Sequence, residues 1–378
     1  MSAAARSLLH YVTTLAIALA ACAILMHPSA HAEALKSMGI GMGMGTVAGP
    51  TQDAPTTIFY PSDAAATTVT RGPFQFAAAV DGAAKAGNGR LIVISHGSGG
   101  APWPLADLTR TWVNAGYTVA IPLHEGDNFR GKSKMGPDSW KLRPKEVSAS
   151  IDAVAVDPRF GPLLDTRRVG VYGPSAGGFT ALVLGGAVWS PSIFQQHCLT
   201  HTAEDFAACA GLVVHLRGNW LDSVKLSGTR LVHRLKYSDT QRYAHSDPRV
   251  VAVLAAVPMA ASIDPASLAQ VTSSASTASS PPSYPAIGLV RAGQDTELQP
   301  RFHIDTIRAA CARCELVADL PQAGHDSLFS PWPQDFAATL GPQAVDPPGF
   351  ERAQLPQAYE RMRGFFDRHL LVPSAKGQ

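Results

Sequence analysis

The chain lacks an excess of charge of either sign. Its 31 Lys and Arg residues and 29 Asp and Glu residues leave a formal net charge of +2, and only 16% of the 378 residues are charged. No dense basic stripe occurs along the sequence. Because binding to DNA or RNA needs clustered positive charge against the phosphates, we expect no nucleic-acid partner.

Long apolar runs are also scarce, and the one present lies at the N-terminus. Arg6 precedes "LLHYVTTLAIALAACAILM", and "SAHA" then offers Ala30 and Ala32 as an A-x-A cleavage site before Glu33. This order is typical of a signal peptide over residues 1–32 and predicts export to the periplasm or beyond. A retained transmembrane anchor and a lipoprotein cut at Cys22, in "LAAC", are the alternatives. After processing we expect no membrane span.

The chain has only five cysteines, and Cys22 lies in the apolar run. The other four are Cys198, Cys209, Cys311 and Cys314, an even number that favours disulfides in an oxidising compartment. Proximity favours the pairs 198–209 and 311–314, although four cysteines allow three pairings. No histidine or carboxylate is spaced with them as a zinc site requires, so we expect no metal.

Strand-like and helix-like segments alternate from residue 56 onward. Fully apolar strands such as "LIVI" and "VGVY" run into glycine loops and are followed by helical periodicity, which predicts an α/β fold with a mostly parallel sheet and helices on both faces. We expect one domain over 56–372, an insertion or lid over 189–247, a flexible Gly/Met-rich leader over 33–55 and a tail over 373–378. No internal repeat is visible.

The strongest motif is "VGVYGPSAGGFTALVLGG", which begins at Val169. Gly173 to Gly177 fit G-x-S-x-G, with Ser175 between an apolar strand and a helix. Such a sharp turn needs small neighbours, and the helix that follows directs its amides toward negative charge developing beside the serine. The motif therefore predicts that Ser175 is a nucleophile.

A serine hydroxyl needs a base, and that base needs an acid to orient it. His325 follows the last predicted strand in "PQAGHDSLF", and Asp295 follows the preceding strand in "VRAGQDTELQP". The order Ser175, Asp295, His325 is the one expected of a hydrolase on this fold. Asp264 and Glu297 remain alternative acids.

Acyl transfer also needs amide donors for the carbonyl oxygen as it becomes negative. The amide of Ala176, directly after the nucleophile, is one candidate. The loop "SHGSGG" after an earlier strand offers the second, with Ser98 as first choice and Gly99 in reserve. We expect His96 to brace this loop, and His124 and Asp127 to shape the neighbouring one.

These residues together resemble the α/β-hydrolase superfamily, and in particular secreted bacterial proteins described as dienelactone hydrolase-like or platelet-activating-factor acetylhydrolase-like. The landmarks are, in order, "LIVISHGSGG", "IPLHEGDNFRG", "VGVYGPSAGGFTALVLGGA", "AGQDTELQP" and "AGHDSLF". Two departures stand out: Pro174 replaces the commoner histidine of G-H-S-x-G, and position 175 is serine, whereas true dienelactone hydrolases use cysteine.

The resemblance implies a serine esterase or lipase-like hydrolase that needs no cofactor and forms an acyl-enzyme on Ser175. Its partner would be a small-molecule or lipid-like ester, and we expect a monomer. A peptidase or amidase on the same fold, and a catalytically silent binding protein, are the alternatives.

Overall fold

The structure is a computed structural model that describes residues 41–51, 54–211, 214–273, 284–333 and 345–371. The predicted signal peptide, Cys22 and the predicted tail over 373–378 lie outside these residues. Within them, no helix is both long enough and apolar enough to cross a membrane.

In the described part of the chain the strands are β1 Gly41–Thr51, β2 Ala54–Ser62, β3 Thr67–Arg71, β4 Phe74–Val80, β5 Leu91–Ile94, β6 Thr118–Ile121, β7 Val169–Pro174, β8 Val250–Ala256, β9 Ala286–Ala292 and β10 Glu315–Leu320. These ten strands form one sheet in the order β10-β9-β8-β7-β5-β6-β2-β1-β4-β3. From β6 to β10 every neighbouring pair is parallel, whereas β2 pairs antiparallel with β6 and β1, and β3 with β4. The predicted mostly parallel sheet is confirmed.

The expected flexible leader over 33–55 is wrong for its described part. Residues 41–51 form β1 inside the sheet, with Met42 and Met44 buried in the core. The Gly/Met alternation has the two-residue period of a strand, because successive side chains point to opposite faces. Gly43 is needed there, since a Cβ atom would lie 2.4 Å from Cε2 of Tyr60.

Helices cover both faces of the sheet, as predicted. They are α1 Ala106–Asn114, α2 Pro137–Val156, α3 Ala176–Leu184, α4 Pro191–His201, α5 Phe206–Ala210, α6 Leu221–Lys236, α7 Pro265–Ser273, α8 Ile304–Ala310 and α9 Leu355–Leu370. One apolar core forms on the face covered by α2 and α3, and a second on the face covered by α1 and α9.

Helix α2 contains a proline. It begins at Pro137, and Pro144 lies inside it. Pro144 has no amide to donate to the preceding turn, so the helix loses one backbone hydrogen bond there. Arg143, directly before this proline, is fully buried.

The expected insertion after α3 consists of helices α4, α5 and α6. Its two ends are held together, since the Trp189 and Tyr243 backbones exchange hydrogen bonds of 3.0 and 2.8 Å. Cys198 and Cys209 form a disulfide within the insertion, and Cys311 and Cys314 form another between α8 and β10. These are the two pairs that proximity favours.

Candidate active site

Ser175 lies on a strained turn at the carboxyl end of β7. Its φ of 58° and ψ of −122° fall where residues with a side chain are rarely found. The turn is held at both sides, because the Ser175 amide donates to Ala256 O at 3.0 Å and Ser175 O accepts from the Met259 amide at 3.1 Å. The structure thus presents this serine in a fixed, strained backbone.

The glycines of the motif are required by close backbone approach. A Cβ atom on Gly173 would lie 2.1 Å from Gly177 O, and one on Gly177 would lie 1.7 Å from Ser95 O. A larger residue at either position would force the turn apart, which explains G-x-S-x-G in steric terms.

His325 and Asp295 meet at the same edge of the sheet. Because β7, β9 and β10 run parallel, their carboxyl ends lie together. Asp295 follows β9, and His325 follows β10. Nδ1 of His325 donates to Oδ2 of Asp295 at 2.7 Å, and both side chains are almost fully buried. Oδ1 of Asp295 accepts from the amides of Glu297 at 2.9 Å and Leu298 at 2.8 Å, which fixes the carboxylate.

The alternative acids are placed differently. Asp264 accepts from the Ala266 amide at 3.0 Å and pairs with Arg242, so it caps the start of α7. Among the described residues, no hydrogen bond or ion pair joins it to His325. Glu297 does approach the ring, with Oε2 3.6 Å from Nε2 of His325. It therefore faces the nitrogen that Asp295 leaves free.

Ser175 and His325 are not hydrogen-bonded to each other in the described part of the chain. The donors and acceptors of catalytic sites without substrate are often too far apart or misaligned, and they tighten when substrate binds. Proton transfer between Ser175 Oγ and Nε2 would require one of these side chains to move.

The loop after β5 passes directly beside the serine. A Cβ atom on Gly97 would lie 3.5 Å from Cβ of Ser175. The amide of Gly99 is already used, since it donates to Oδ1 of Asp127 at 2.8 Å, which argues against Gly99 as an oxyanion donor. The hydroxyl of Ser98 donates to the same Oδ1 at 2.7 Å.

Comparison with known proteins identifies the fold. No family model and no curated protein matches the sequence. The structure is similar to a ferulic acid esterase from Streptomyces cinnamoneus, with a TM-score of 0.50 and 17% identity over 89% of this chain and 92% of that one. A structure from Klebsiella pneumoniae subsp. pneumoniae assigned as a dienelactone hydrolase matches with a TM-score of 0.41 and 14% identity over 87% and 99%.

The chain has the α/β-hydrolase fold. This agrees with the resemblance in the sequence.

A buried ion pair braces the glycine loop that follows β5. The guanidinium of Arg143 contacts Oδ2 of Asp127 at 2.8 Å, and neither side chain is exposed to solvent. Arg143 also donates to the carbonyls of His96 at 2.5 Å and Gly97 at 3.3 Å. Burial opposes ionisation of Asp127, but the positive charge of Arg143 and hydrogen bonds from neighbouring hydroxyls hold its pKa well below the usual range.

Two neutral histidines complete this support. His96 donates from Nδ1 to Gly97 O at 2.7 Å and accepts the His124 amide on Nε2 at 3.3 Å. Burial lowers the pKa of both rings well below 6.5, with the charge of Arg143 adding to the effect. His124 bonds Glu146 at 2.6 Å and Ser95 at 2.8 Å. The sequence drew attention to His96, His124 and Asp127, but it held no signal for Arg143 or Glu146, because the contacts come from packing of α2.

Burial and the neighbouring acids shift the pKa of His325 in opposite directions. Burial lowers the pKa of the ring, but the charges of Asp295 and Glu297 raise it to about 10. Burial raises the pKa of Glu297 to about 7, even though the charge of His325 lowers it. Oε1 of Glu297 is buried and has no hydrogen-bond partner among the described residues.

A second group of ionisable side chains joins the insertion to the body. Asp205 Oδ2 accepts from Nε2 of His197 at 2.8 Å and from Nε2 of His303 at 3.0 Å. The side chains of His197, Asp205 and His303 are close enough together to hold a metal ion. However, the Ala260 amide donates to Nδ1 of His303 at 3.0 Å. A metal on Nε2 would then leave the ring without a proton, which a neutral imidazole ligand retains. The cluster fits a hydrogen-bonded bridge better than a metal site.

Proposed function

We propose that the protein is an exported serine hydrolase that cleaves carboxylic esters through an acyl-enzyme on Ser175. The observation that carries the proposal is the strained Ser175 turn at the sheet edge where the buried His325–Asp295 pair also lies. Strained residues of this kind cluster at functional sites. The two disulfides agree with an oxidising compartment.

The roles follow from the chemistry of acyl transfer. Ser175 Oγ attacks the ester carbonyl while Nε2 of His325 takes its proton, and Asp295 holds the ring through Nδ1. The amides of Ala176 and Ser98 stabilise the oxyanion, and Arg143 with Asp127 positions the loop that carries Ser98.

The imidazolium then gives its proton to the departing alkoxide, and the alcohol leaves, which completes acylation of Ser175. Deacylation uses the same groups with water as the nucleophile. His325 then takes a proton from water, which attacks the acyl carbonyl and releases the carboxylic acid, and the proton returns to Ser175.

Turnover of p-nitrophenyl acetate tests the proposal. We expect Ser175→Ala to lower kcat by about 10⁶-fold, with residual catalysis from oxyanion stabilisation and binding. Asp295→Asn should lower kcat by about 10³- to 10⁴-fold, because the ring loses its orienting charge. Asp264→Asn is the matched control and should keep wild-type kcat. Equal activity in wild type and Ser175→Ala, with both folded, would refute the nucleophile and leave a binding protein.

A substrate panel then defines the class. It would contain p-nitrophenyl esters of increasing chain length, ethyl ferulate and a peptide p-nitroanilide. Ethyl ferulate is included because the esterase of similar fold is named for ferulic acid. Faster cleavage of the anilide than of every ester would replace the esterase proposal with a peptidase.

A further inference from the structure

Exposed apolar side chains are concentrated in one short segment. Of the fourteen large hydrophobic residues exposed in the described part of the chain, seven lie between residues 216 and 235, on or just before α6: Leu216, Trp220, Leu221, Val224, Leu231, Val232 and Leu235. Trp220 is 77% exposed and Leu235 is 72% exposed. A folded protein rarely leaves so many large apolar groups together in water without a binding role.

Four of these residues form a stripe that points away from the protein. At 3.6 residues per turn, Trp220, Val224, Leu231 and Leu235 fall within an arc of about 60°. On α6 itself only His233 is buried. It accounts for the inner side of the helix, where its Nε2 donates to Cys209 O at 2.8 Å. The apolar stripe is therefore the outer surface and not a misplaced core face.

Basic residues border the stripe on both sides. Residues 215–237 hold five Lys and Arg residues and one acid, Asp222. Arg234 lies about 40° beyond one edge of the stripe. On the other side, Lys236 lies about 40° beyond the exposed Val232 and about 100° beyond the stripe itself, and both basic residues are exposed. Lys225 pairs with Asp222 at 2.8 Å, which leaves the surplus of positive charge near the C-terminal half of the helix.

We propose that α6 docks on an anionic lipid surface, with its apolar stripe among the acyl chains and its basic borders at the head groups. An outward apolar stripe flanked by Lys and Arg, with tryptophan near one end, is the pattern of a helix that lies in the interface plane. A second copy of the chain fits less well, because pairing two such stripes would bring like charges together. The proposal does not depend on hydrolysis, since binding can be measured without a substrate.

Co-sedimentation with vesicles tests the docking. The full chain would be mixed with vesicles of phosphatidylcholine alone or with phosphatidylglycerol. We expect binding to the anionic vesicles that falls with added salt, because screening weakens the attraction to the head groups. The triple variant Trp220→Ala/Leu231→Ser/Leu235→Ser should bind at least about tenfold more weakly, because it loses most of the stripe.

Val156→Ser is the matched control, since Val156 is 82% exposed but lies at the end of α2. It carries the same N-terminus as the triple variant, so the comparison isolates α6. Tryptophan emission should also shift to the blue on anionic vesicles, and Trp220→Phe should abolish the shift. Absence of binding, binding equal in the triple variant and wild type, or self-association through α6 without vesicle binding would each overturn the proposal.

Discussion

Glu297 places a second buried carboxyl group against the imidazole of His325. Asp295 holds Nδ1, and Oε2 of Glu297 lies 3.6 Å from Nε2, the nitrogen that would take the proton of Ser175. Asp326 is a third, half-buried acid whose charge also acts on the ring, and Arg352 and Asp346 act on Asp326 in turn. An ionised Glu297 favours the imidazolium, which cannot act as a base.

We predict that Glu297→Gln makes the enzyme active at lower pH. The acid limb of kcat/KM reports the pKa of the free base. Removing the negative charge lowers the pKa of His325, so the neutral ring persists to lower pH, and the limb should move down by about one pH unit or more. The pH profile of ester hydrolysis measures the shift.

Glu351→Gln, on the exposed surface, is the control and should leave the profile unchanged. An unmoved limb in a folded Glu297→Gln variant would show that Glu297 does not act on His325. A uniform loss of activity at every pH would indicate a purely structural role.

Among the elements, α6 buries a single side chain, His233, and has a glycine near its centre. Gly228 lies within the helix, and a Cβ atom there would meet nothing within 4 Å. A glycine inside a helix costs stability relative to alanine, because it loses more backbone freedom on folding.

We therefore predict that Gly228→Ala stabilises the protein by about 0.5–1 kcal/mol if α6 unfolds with the rest of the chain. Denaturant titration measures the change. Gly177→Ala is the opposing control, because its Cβ would meet Ser95 O at 1.7 Å and should destabilise. An unchanged midpoint for Gly228→Ala would mean that α6 frays before the main transition.

For the whole molecule, the insertion depends on its own cross-links and on the contacts between Asp205 and His303. The Cys198–Cys209 disulfide spans eleven residues, whereas Cys311–Cys314 spans three. In the loop-entropy account a longer closed loop restricts the unfolded chain more.

We predict that Cys198→Ala/Cys209→Ala lowers the free energy of unfolding by about 3 kcal/mol, and Cys311→Ala/Cys314→Ala by about 2 kcal/mol. Chemical denaturation without reductant compares the two. A larger loss for the shorter loop would contradict the loop-entropy account.

The elements that could be predicted from the sequence are those that local chemistry controls. Residue type and short spacing predict the apolar strands, the Ser175 turn with its glycines, and the order of Asp295 and His325. The prediction of a flexible leader is wrong at residues 41–51, because their period-2 pattern becomes a strand only when Tyr60 packs over Gly43. The nucleophile and its partners remain predictions that the kinetic tests address.

Contacts between distant residues could not be predicted from the sequence, because they arise when the elements pack together. Arg143 braces the loop beside Ser175 because α2 packs against the end of β5, and nothing in its neighbours marks it. Glu297 faces Nε2 because β9 and β10 end side by side. The stripe on α6 faces outward because the insertion buries the opposite side of the helix, which carries His233.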